Sequence, residues 1–193
     1  MLCFERKPEP WYAIYVKSRH EKHVAFALDA KGYESFLPTY TKLHKDSKKF
    51  DLPLFPNYVF CRLVVSRTLP VINTPGVFSI VGNGCTPAAI PDLAIEDIKR
   101  TLESGHTLRS WPYISSGQEV CLNTGPLRGV HGVVLDGENH KWLVISVHLL
   151  QRSVAVKLDR SGLPLGAISV RPVHLSSRQE LTLAHRYATA EQA

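Results

Sequence analysis

The chain has 193 residues, enough for one large domain or two small ones with separate cores. It carries 23 Lys and Arg against 17 Asp and Glu, which allows contact with a polyanion without requiring it. Residues 1–104 hold 14 basic and 11 acidic side chains and residues 105–193 hold 9 and 6, so neither part concentrates charge as dedicated nucleic-acid binders do. No apolar run reaches the roughly 20 residues that span a bilayer, so we expect no membrane partner.

The cysteines indicate a reducing compartment. Cys3, Cys61, Cys85 and Cys121 are widely spaced and form no CxxC pair. Three of them lie in apolar or strand-like runs, which favours buried reduced thiols. The first residues, "MLCFERKPEP", lack the apolar core of a signal peptide. The sequence therefore predicts a cytoplasmic protein.

The first elements are a strand and a helix. Trp11–Lys17 is rich in aromatic and β-branched residues and predicts a strand. Ser18 and Glu21 then match the S-x-x-E capping box of a helix that ends at Gly32. Phe26 lies off the apolar stripe of this helix, so it is available to face something else.

Two short segments follow the helix. Residues 34–37 predict a second strand, and residues 39–52 predict an exposed hairpin or loop. This loop holds Lys42, Lys45, Lys48 and Lys49, so it is either simply solvated or in contact with phosphates.

The stretch "PLFPNYVF", residues 53–60, predicts a third strand that begins after Pro56. Its apolar residues do not alternate, so both of its faces need cover. Residues 66–73 are ambiguous because Pro70 would break a helix beyond its first turn. Residues 77–81 predict a fourth strand, and residues 93–102 a helix that ends near Gly105. This order indicates an α+β domain with a small antiparallel sheet.

After Gly105 the helical periodicity of the sequence ends, and short strand-like segments between turns follow. Residues 105–114 show no period and contain Pro, Ser and Gly, which predicts a linker. Five short strands then predict an all-β closed barrel; they are residues 119–123, 132–135, 142–147, 154–158 and 168–171. The tail from Ser176, residues 176–193, predicts a marginal helix.

Enzyme motifs are missing from the sequence. "HEKH" places His20 and His23 at i, i+3 instead of the i, i+4 of zincins. No phosphate loop, dinucleotide loop or nucleophile with a base at a known spacing is present. We therefore expect no enzyme, no cofactor and no metal; a metalloenzyme would require His20, His23 and His44 to converge on one ion.

The strongest local signal is "GQEVCLNTGPLRGVHGVVL", residues 117–135. A strand reaches the Gly125-Pro126 turn, and Gly129 and Gly132 bracket the entry to a second apolar strand. This spacing resembles the KOW motif, a strand-turn-strand unit of SH3-like barrels.

Together, the motifs resemble those of the NusG family of transcription elongation factors. They are "WYAIYVKSRHEK", "PLFPNYVF", "INTPGVFSIVG" and the KOW-like segment, in that order. The resemblance implies a NusG N-terminal-like (NGN) domain at 8–104, a linker at 105–114, a KOW SH3-like barrel at 115–175 and a tail at 176–193. "LLQRSVAVKLD", residues 149–159, is similar to specialised paralogues of the UpxY and RfaH type.

The resemblance also implies how RNA polymerase is bound. An apolar depression of the N-terminal domain would dock on the clamp helices of the largest polymerase subunit, and the matching residues are Trp11, Tyr12, Phe55, Pro56 and Tyr58. Tyr58 and Phe60 are open to a second interpretation as core residues. A contact with the gate loop across the DNA channel would map onto Arg67, Thr68 and Leu69.

Further contacts follow from the same resemblance. Arg19 and the lysines at 42, 45, 48 and 49 would touch the non-template DNA strand near the transcription bubble. The KOW loop Leu149, Leu150, Gln151 and Arg152 would recruit a small-subunit ribosomal protein or the termination factor Rho. Rho is the less favoured partner because Leu150 stands where the housekeeping pattern has an aromatic residue.

The resulting hypothesis is a transcription elongation and antitermination factor. It would bind RNA polymerase across the clamp and reduce pausing and termination, while the KOW domain recruits a further partner. The alternatives are a housekeeping NusG and a free-standing RNA- or ribosome-binding KOW protein.

Overall fold

The computed structural model describes residues 9–43, 49–83, 86–114, 119–136, 141–158 and 168–170. The chain divides into two compact units, an N-terminal unit of Met1–Ile95 and a C-terminal unit of Glu96–Ala193. The boundary falls within helix α3, Asp92–Glu103. The expected domain bounds of 8–104 and 115–175 stay a prediction.

The N-terminal unit alternates short strands with short helices. Before α3, its elements in chain order are β1 Trp11–Val16, α1 Glu21–Ala30, β2 Ser35–Phe36, β3 Thr39–Leu43, β4 Lys49–Pro53, β5 Tyr58–Arg62, a 3-10 turn Val65–Arg67, α2 Leu69–Ile72, β6 Val77–Ile80, β7 Gly82–Asn83 and β8 Thr86–Pro87. Pro70 lies in the first turn of α2, where its missing amide costs no helical hydrogen bond. The ambiguous segment is thus two short turns of helix.

A four-stranded antiparallel sheet organises the N-terminal unit. Its strand order is β2-β5-β1-β6, so β1 pairs with both β5 and β6. The alternate residues Tyr12, Ile14 and Val16 of β1 pack with Val24 and Leu28 of α1 in the core. The predicted α+β fold with a small antiparallel sheet is confirmed for this unit.

The start of α1 differs from the prediction. The helix begins at Glu21, and no side chain caps it, so the predicted Ser18–Glu21 capping box is wrong. Glu21 is buried, and its Oε1 accepts a hydrogen bond from the backbone N–H of Asn57 at 3.0 Å. Asn57 has a φ of +70°, a conformation that Asn tolerates better than most residues. The carboxylate therefore stabilises the turn that leads into β5.

Aromatic rings cover the sheet face opposite α1. Phe60 contacts both Phe36 and Phe55, with ring centroids 6.1 Å and 5.4 Å apart, and Trp11 contacts Phe36 at 6.3 Å. Trp11, Phe55 and Phe60 are fully buried. One end of this face is therefore a second part of the core, which answers why the strand "YVFCR" is apolar on both sides.

The predicted lysine-rich segment is a hairpin. β3 and β4 pair antiparallel, with Tyr40 opposite Leu52 and Lys42 opposite Phe50. Residues 44–48, at its tip, lie outside the described residues.

Burial protects the Cys61 thiol. The thiol is buried in the core, and burial, with smaller contributions from the carboxylates of Asp29, Glu34 and Glu9, raises the pKa of Cys61 to about 12. Cys61 therefore matches the prediction of a buried thiol, whereas Cys121 is partly exposed. Cys3 and Cys85 lie outside the described residues.

The C-terminal unit contains a six-stranded antiparallel sheet. Its strands are β9 Leu108–Pro112, β10 Glu119–Leu122, β11 His131–Asp136, β12 Lys141–Val147, β13 Arg152–Leu158 and β14 Ile168–Val170, with a 3-10 turn His148–Leu150 between β12 and β13. The order in the sheet is β14-β10-β11-β12-β13-β9. All five predicted strands are observed, while closure into a KOW-type barrel stays a prediction.

The segment predicted as a linker contains a strand. β9 pairs with β13 over five residues, from Arg152 opposite Pro112 to Val156 opposite Leu108. The prediction that residues 105–114 form no regular structure is therefore wrong at 108–112. Strand formation here depends on hydrogen bonds to a partner strand 40 to 48 residues away in sequence, which no local pattern reveals.

The predicted glycine motif forms a tight turn between β10 and β11. Gly129 has a φ of +83°, and its N–H donates to the carbonyl of Leu122 at 2.6 Å. Gly132 lies where β11 meets β12, and a Cβ there would be 2.6 Å from the carbonyl oxygen of Val144. These two positions therefore require glycine for conformation and for close approach, respectively.

A buried carboxylate joins the C-terminal half of α3 to β11. Asp97 is buried, and one of its oxygens accepts hydrogen bonds from the backbone N–H and Nδ1 of His131 at 3.2 Å and 3.3 Å. Burial raises the pKa of Asp97, a change that His131 and Arg100 only partly oppose.

A pH dependence follows from Asp97. Since the folded state binds the proton more tightly than the unfolded state, the free energy of unfolding should rise as pH falls from the raised pKa to the ordinary value, and then level off. Asp97→Asn should remove this rise. Urea denaturation of both chains between neutral and acidic pH, each carrying His131→Gln so that the two chains differ only at residue 97, measures the difference. An equal rise in both chains would show that Asp97 is not its source.

No helix in the described part of the chain is long and apolar enough to cross a membrane.

A candidate docking surface on the N-terminal unit

Three aromatic side chains form an exposed cluster at one end of the four-stranded sheet. The Tyr15 ring lies 5.6 Å from that of Tyr58 and 5.5 Å from that of Phe78. Phe78 is 62% exposed and Tyr15 38% exposed, and Tyr58 is partly buried. We call these three residues the aromatic triad. Large apolar rings that remain in water next to one another are typical of a surface that binds a partner.

An open groove of about 310 Å³ adjoins the triad. Phe78 belongs to both the triad and the groove. The other residues that line the groove lie in or next to the 3-10 turn, α2, β6 and β8; they are Val65, Thr68, Ile72, Ser79, Ile80 and Pro87. Val65 and Ile72 are among the exposed large apolar side chains of the unit. The triad and the groove therefore provide a continuous apolar surface.

The predicted clamp-contact residues divide into buried and accessible ones. Trp11, Tyr12 and Phe55 are buried, which contradicts the prediction that they contact the clamp helices. Their side chains form part of the core in the free protein. Pro56 and Tyr58 remain partly accessible. The alternative that Tyr58 and Phe60 are both core residues is right only for Phe60, which is fully buried.

Tyr15 and Phe78 were not among the residues predicted to contact polymerase. Tyr15 lies between the buried Ile14 and Val16 along β1. The alternation of a strand therefore places its side chain on the sheet face opposite to theirs. Its exposure depends on which loops cover that face, and this is not encoded locally. Phe78 joins Tyr15 because β1 and β6 pair with an irregularity between Tyr15 and Val16.

The three predicted gate-loop residues lie beside the groove. Arg67 ends the 3-10 turn, Thr68 lines the groove, and Leu69 begins α2 with 70% of its side chain exposed. Lys31, the residue that follows α1, holds this region in place, since its Nζ donates to the carbonyl of Pro70 and to Thr74 Oγ1 at 2.8 Å and 2.7 Å.

The predicted nucleic-acid contacts are described only in part. Arg19, Lys42 and Lys49 are exposed, whereas Lys45 and Lys48 lie outside the described residues. Lys42 and Lys49 pair with Phe50 and Leu43, respectively, on opposite faces of the β3–β4 hairpin. The described lysines therefore do not share one face.

The predicted partner loop of the C-terminal unit surrounds the tight connection of β12 to β13. Leu150 is buried, which contradicts the prediction that it contacts a partner directly. Gln151 and Arg152 are exposed, and Leu149 is partly exposed. Gln151 has a φ of +49°, which directs the chain back into β13. The surface that remains accessible here is mainly polar.

Metal-ligating side chains do not gather among the described residues: no group of three His, Cys, Asp or Glu side chains has the arrangement of a metal site there. His20 instead lies next to the start of α1, with its Nδ1 3.1 Å from the carbonyl of Ser18. His44 lies outside the described residues.

The N-terminal unit has the α+β fold of NusG-type N-terminal domains. The NusG family model, described as "Transcription termination factor nusG", matches residues 9–99, just under half of the chain. No curated protein sequence matches the chain. The resemblance that the motifs indicated is thus confirmed for the N-terminal unit, while the assignment to specialised paralogues stays a prediction.

Among solved structures, the chain is similar to NusG of Thermotoga maritima, solved in a study of its domain interaction. The two are 20% identical, the match covers 79% of this chain and 94% of that one, and the TM-score is 0.50. Chains of the MjSpt4:Spt5 complex in conformations A and B are 17% and 18% identical and cover 85% and 86% of this chain and 99% of theirs. Their TM-scores of 0.28 and 0.27 are too low to define the fold.

Proposed function

We propose that this protein is a NusG-like transcription elongation factor that binds RNA polymerase through the aromatic triad and the adjoining groove. The proposal is supported chiefly by the position of these exposed rings on a unit with a NusG-type fold. Aromatic residues supply a large share of binding energy at interfaces, and a paired-helix partner such as the clamp helices presents the apolar ridge that a groove accommodates.

The second contact, with the gate loop on the far side of the polymerase cleft, would come from the exposed Arg67 and Leu69. Thr68, the third residue predicted there, lines the groove and would therefore belong to the clamp contact. A factor that holds both sides of the cleft favours the closed clamp by its difference in affinity for the two states. Pausing and termination would then fall, as in antitermination by specialised NusG paralogues. The protein would act by binding alone and would catalyse no reaction.

The C-terminal unit would recruit a further partner through the exposed part of its β12–β13 connection. Gln151 and Arg152 offer hydrogen bonds and a positive charge, and their neighbour Leu150 is committed to the core. A small-subunit ribosomal protein is favoured over Rho as this partner because Leu150 stands where the housekeeping pattern has an aromatic residue. Arg19 and the lysines of the β3–β4 hairpin would contact the non-template DNA strand through its phosphates.

Capture of RNA polymerase tests the docking surface. Immobilised chain carrying Tyr15→Ala and Phe78→Ala should retain core polymerase about 30-fold more weakly or worse, because the loss of even one central interface aromatic costs about 2 kcal/mol or more. Both positions are exposed, so circular dichroism should show an unchanged fold. Affinities are measured by retention over a titration of purified polymerase.

Phe26→Ala is the matched control for this experiment. Phe26 is an exposed phenylalanine on α1, outside the triad, so its loss should leave capture unchanged. Equal capture by wild type and the double variant, or an equal loss with Phe26→Ala, would refute the docking surface. In single-round transcription the wild-type chain should also shorten pauses, and the double variant should not.

A further inference from the structure

Helix α1 ends in a tightly bonded turn. Gly32 has a φ of +82°, and its N–H donates to the carbonyl of Asp29 at 2.9 Å. The N–H of Tyr33 donates to the carbonyl of Leu28 at 3.1 Å. This pair of bonds is the Schellman motif, and Tyr33 adds its usual apolar contact by packing against the core cluster that contains Leu28. The backbone that follows α1 is therefore held in one conformation.

Two side chains of this turn reach the segment that contains Arg67 and Leu69. Lys31 Nζ donates to the carbonyl of Pro70 at 2.8 Å, and the Tyr33 hydroxyl donates to the carbonyl of Arg67 over a longer distance of 3.4 Å. We call these two side chains the α1 brace. Both of its acceptors are backbone atoms, so the α1 brace fixes the main chain of the segment and leaves the side chains of Arg67 and Leu69 exposed.

Lys31 completes the hydrogen bonding at the end of α2. The N–H of Thr74 donates to the carbonyl of Val71 at 3.0 Å, whereas an α-helical bond would join it to Pro70. The Pro70 carbonyl accepts instead from Lys31 Nζ and, at 3.0 Å, from Thr74 Oγ1. The same Nζ donates to Thr74 Oγ1 at 2.7 Å, so the three groups form a closed triangle. A cation suits this position because the last carbonyls of a helix carry a partial negative charge.

Packing alone fixes the orientation of α2 poorly. The helix has four residues, too few to be stable alone, and Val71 is its buried side chain. Leu69 and Ile72 are 70% and 41% exposed. One apolar anchor sets how deep the helix lies but leaves it able to rotate. Lys31 is itself exposed, so its loss would remove the second anchor without removing core packing.

We propose that Lys31 is a positioning residue for the second polymerase contact: it orients the main chain of residues 67–70 so that Arg67 and Leu69 face the gate loop. The inference rests on the proposed function, in which these two side chains make that contact and the aromatic triad makes the first. Loss of the Lys31 ammonium then separates the two contacts. Such a chain still binds polymerase through the triad but no longer holds both sides of the cleft.

Hydrogen exchange in the full-length chain, without polymerase, tests the α1 brace. Lys31→Met keeps the apolar stem of the side chain and removes the ammonium. The amides of Ile72, Asn73 and Thr74 should then exchange about tenfold faster or more, because α2 loses a hydrogen bond from a charged donor. The amides of β1 should keep their rates. Unchanged exchange in α2, or an equal acceleration in β1, would overturn the proposal.

Two further variants control this measurement. Lys22→Met removes an exposed ammonium from α1 whose partner, Asp51 at 3.9 Å, lies in β4, so the α2 amides should not respond. Thr74→Val removes the hydroxyl of the triangle, and Lys31→Met should have a smaller effect in that background than in the wild type. An equal response to Lys22→Met, or an equal effect of Lys31→Met in both backgrounds, would contradict the role given to Lys31.

Purified core polymerase tests the functional consequence. Capture of Lys31→Met should stay within about threefold of wild type, because contacts outside the central aromatics of an interface contribute little to affinity. In single-round transcription at saturating protein, the variant should lose about half or more of the pause shortening that the wild type gives.

The outcomes distinguish this inference from the proposed function. Full pause shortening by Lys31→Met would overturn the inference and leave the proposed function intact. Capture as weak as that of the Tyr15 and Phe78 double variant would also overturn it, because the two contacts would then not be separable. A wild-type chain that does not bind polymerase would instead refute the proposed function.

Discussion

Phe55→Ala should lower the free energy of unfolding of the N-terminal unit by about 3–5 kcal/mol. The Phe55 side chain is 0% exposed and meets the Phe60 ring edge-on, at an interplanar angle of 86°. Its removal deletes a large apolar surface and leaves a cavity that the sheet and the loop before β5 fill only in part. Urea denaturation measures the loss, with Trp11 as the reporter in a chain carrying Trp111→Phe and Trp142→Phe.

Phe26→Ala again provides the matched comparison. The same change at a side chain that is 74% exposed should cost no more than about 0.5 kcal/mol. If Phe55→Ala cost as little as Phe26→Ala, the ring would not be part of the core. The result also matters for function: weak polymerase capture by a Phe55 variant would reflect unfolding, so this position cannot identify a docking surface.

Gly132→Val should destabilise the C-terminal unit by at least about 1–3 kcal/mol. A Cβ at this position would be 2.6 Å from the carbonyl oxygen of Val144 and 3.0 Å from Leu143 Cδ1. The first obstacle is backbone, so β11 and β12 must move apart to admit the side chain. Denaturation followed by the fluorescence of Trp111 and Trp142, in a chain carrying Trp11→Phe, detects the change in this unit.

Gly125→Asn is the control for Gly132→Val. Gly125 has a φ of +76°, which Asn tolerates, and a Cβ there meets nothing within 4 Å. The Asn variant should therefore be less destabilised than Gly132→Val. The reverse ranking would mean that the turn conformation, and not the close approach of the two strands, is the reason for glycine in this motif.

The amino-acid sequence predicted the secondary-structure elements better than it predicted which side chains are exposed. In the N-terminal sheet and in α3, the hydrophobic period and the apolar content of each segment determine locally whether it forms a strand or a helix. The predicted bounds of these elements agree with the observed ones within one or two residues. The capping box failed because Glu21 forms a more distant bond, to Asn57. β9 was missed because the pairing partner alone makes it a strand.

The candidate docking surface shows the same limit more sharply. Phe55 and Tyr58 both belong to the stretch "PLFPNYVF", but Phe55 is buried and Tyr58 is partly exposed. They differ because the loop before β5 places Phe55 under the sheet. The exposed rings come from β1, β5 and β6, three strands whose register is not encoded in any single segment. The family resemblance therefore indicated a region of the sheet that includes exposed rings, and only the packing identified which rings remain accessible.

The position of β9 limits how the C-terminal half of this protein can be dissected. A fragment that starts at Gly117, where the KOW-like segment begins, would lack β9 and leave the outer backbone amides and carbonyls of β13 without their partners. Such a bare strand is a template for another copy of itself, so the fragment would tend to self-associate. Aggregates formed in this way would be an artefact of truncation, and a fragment that keeps residues 106–114 would avoid them.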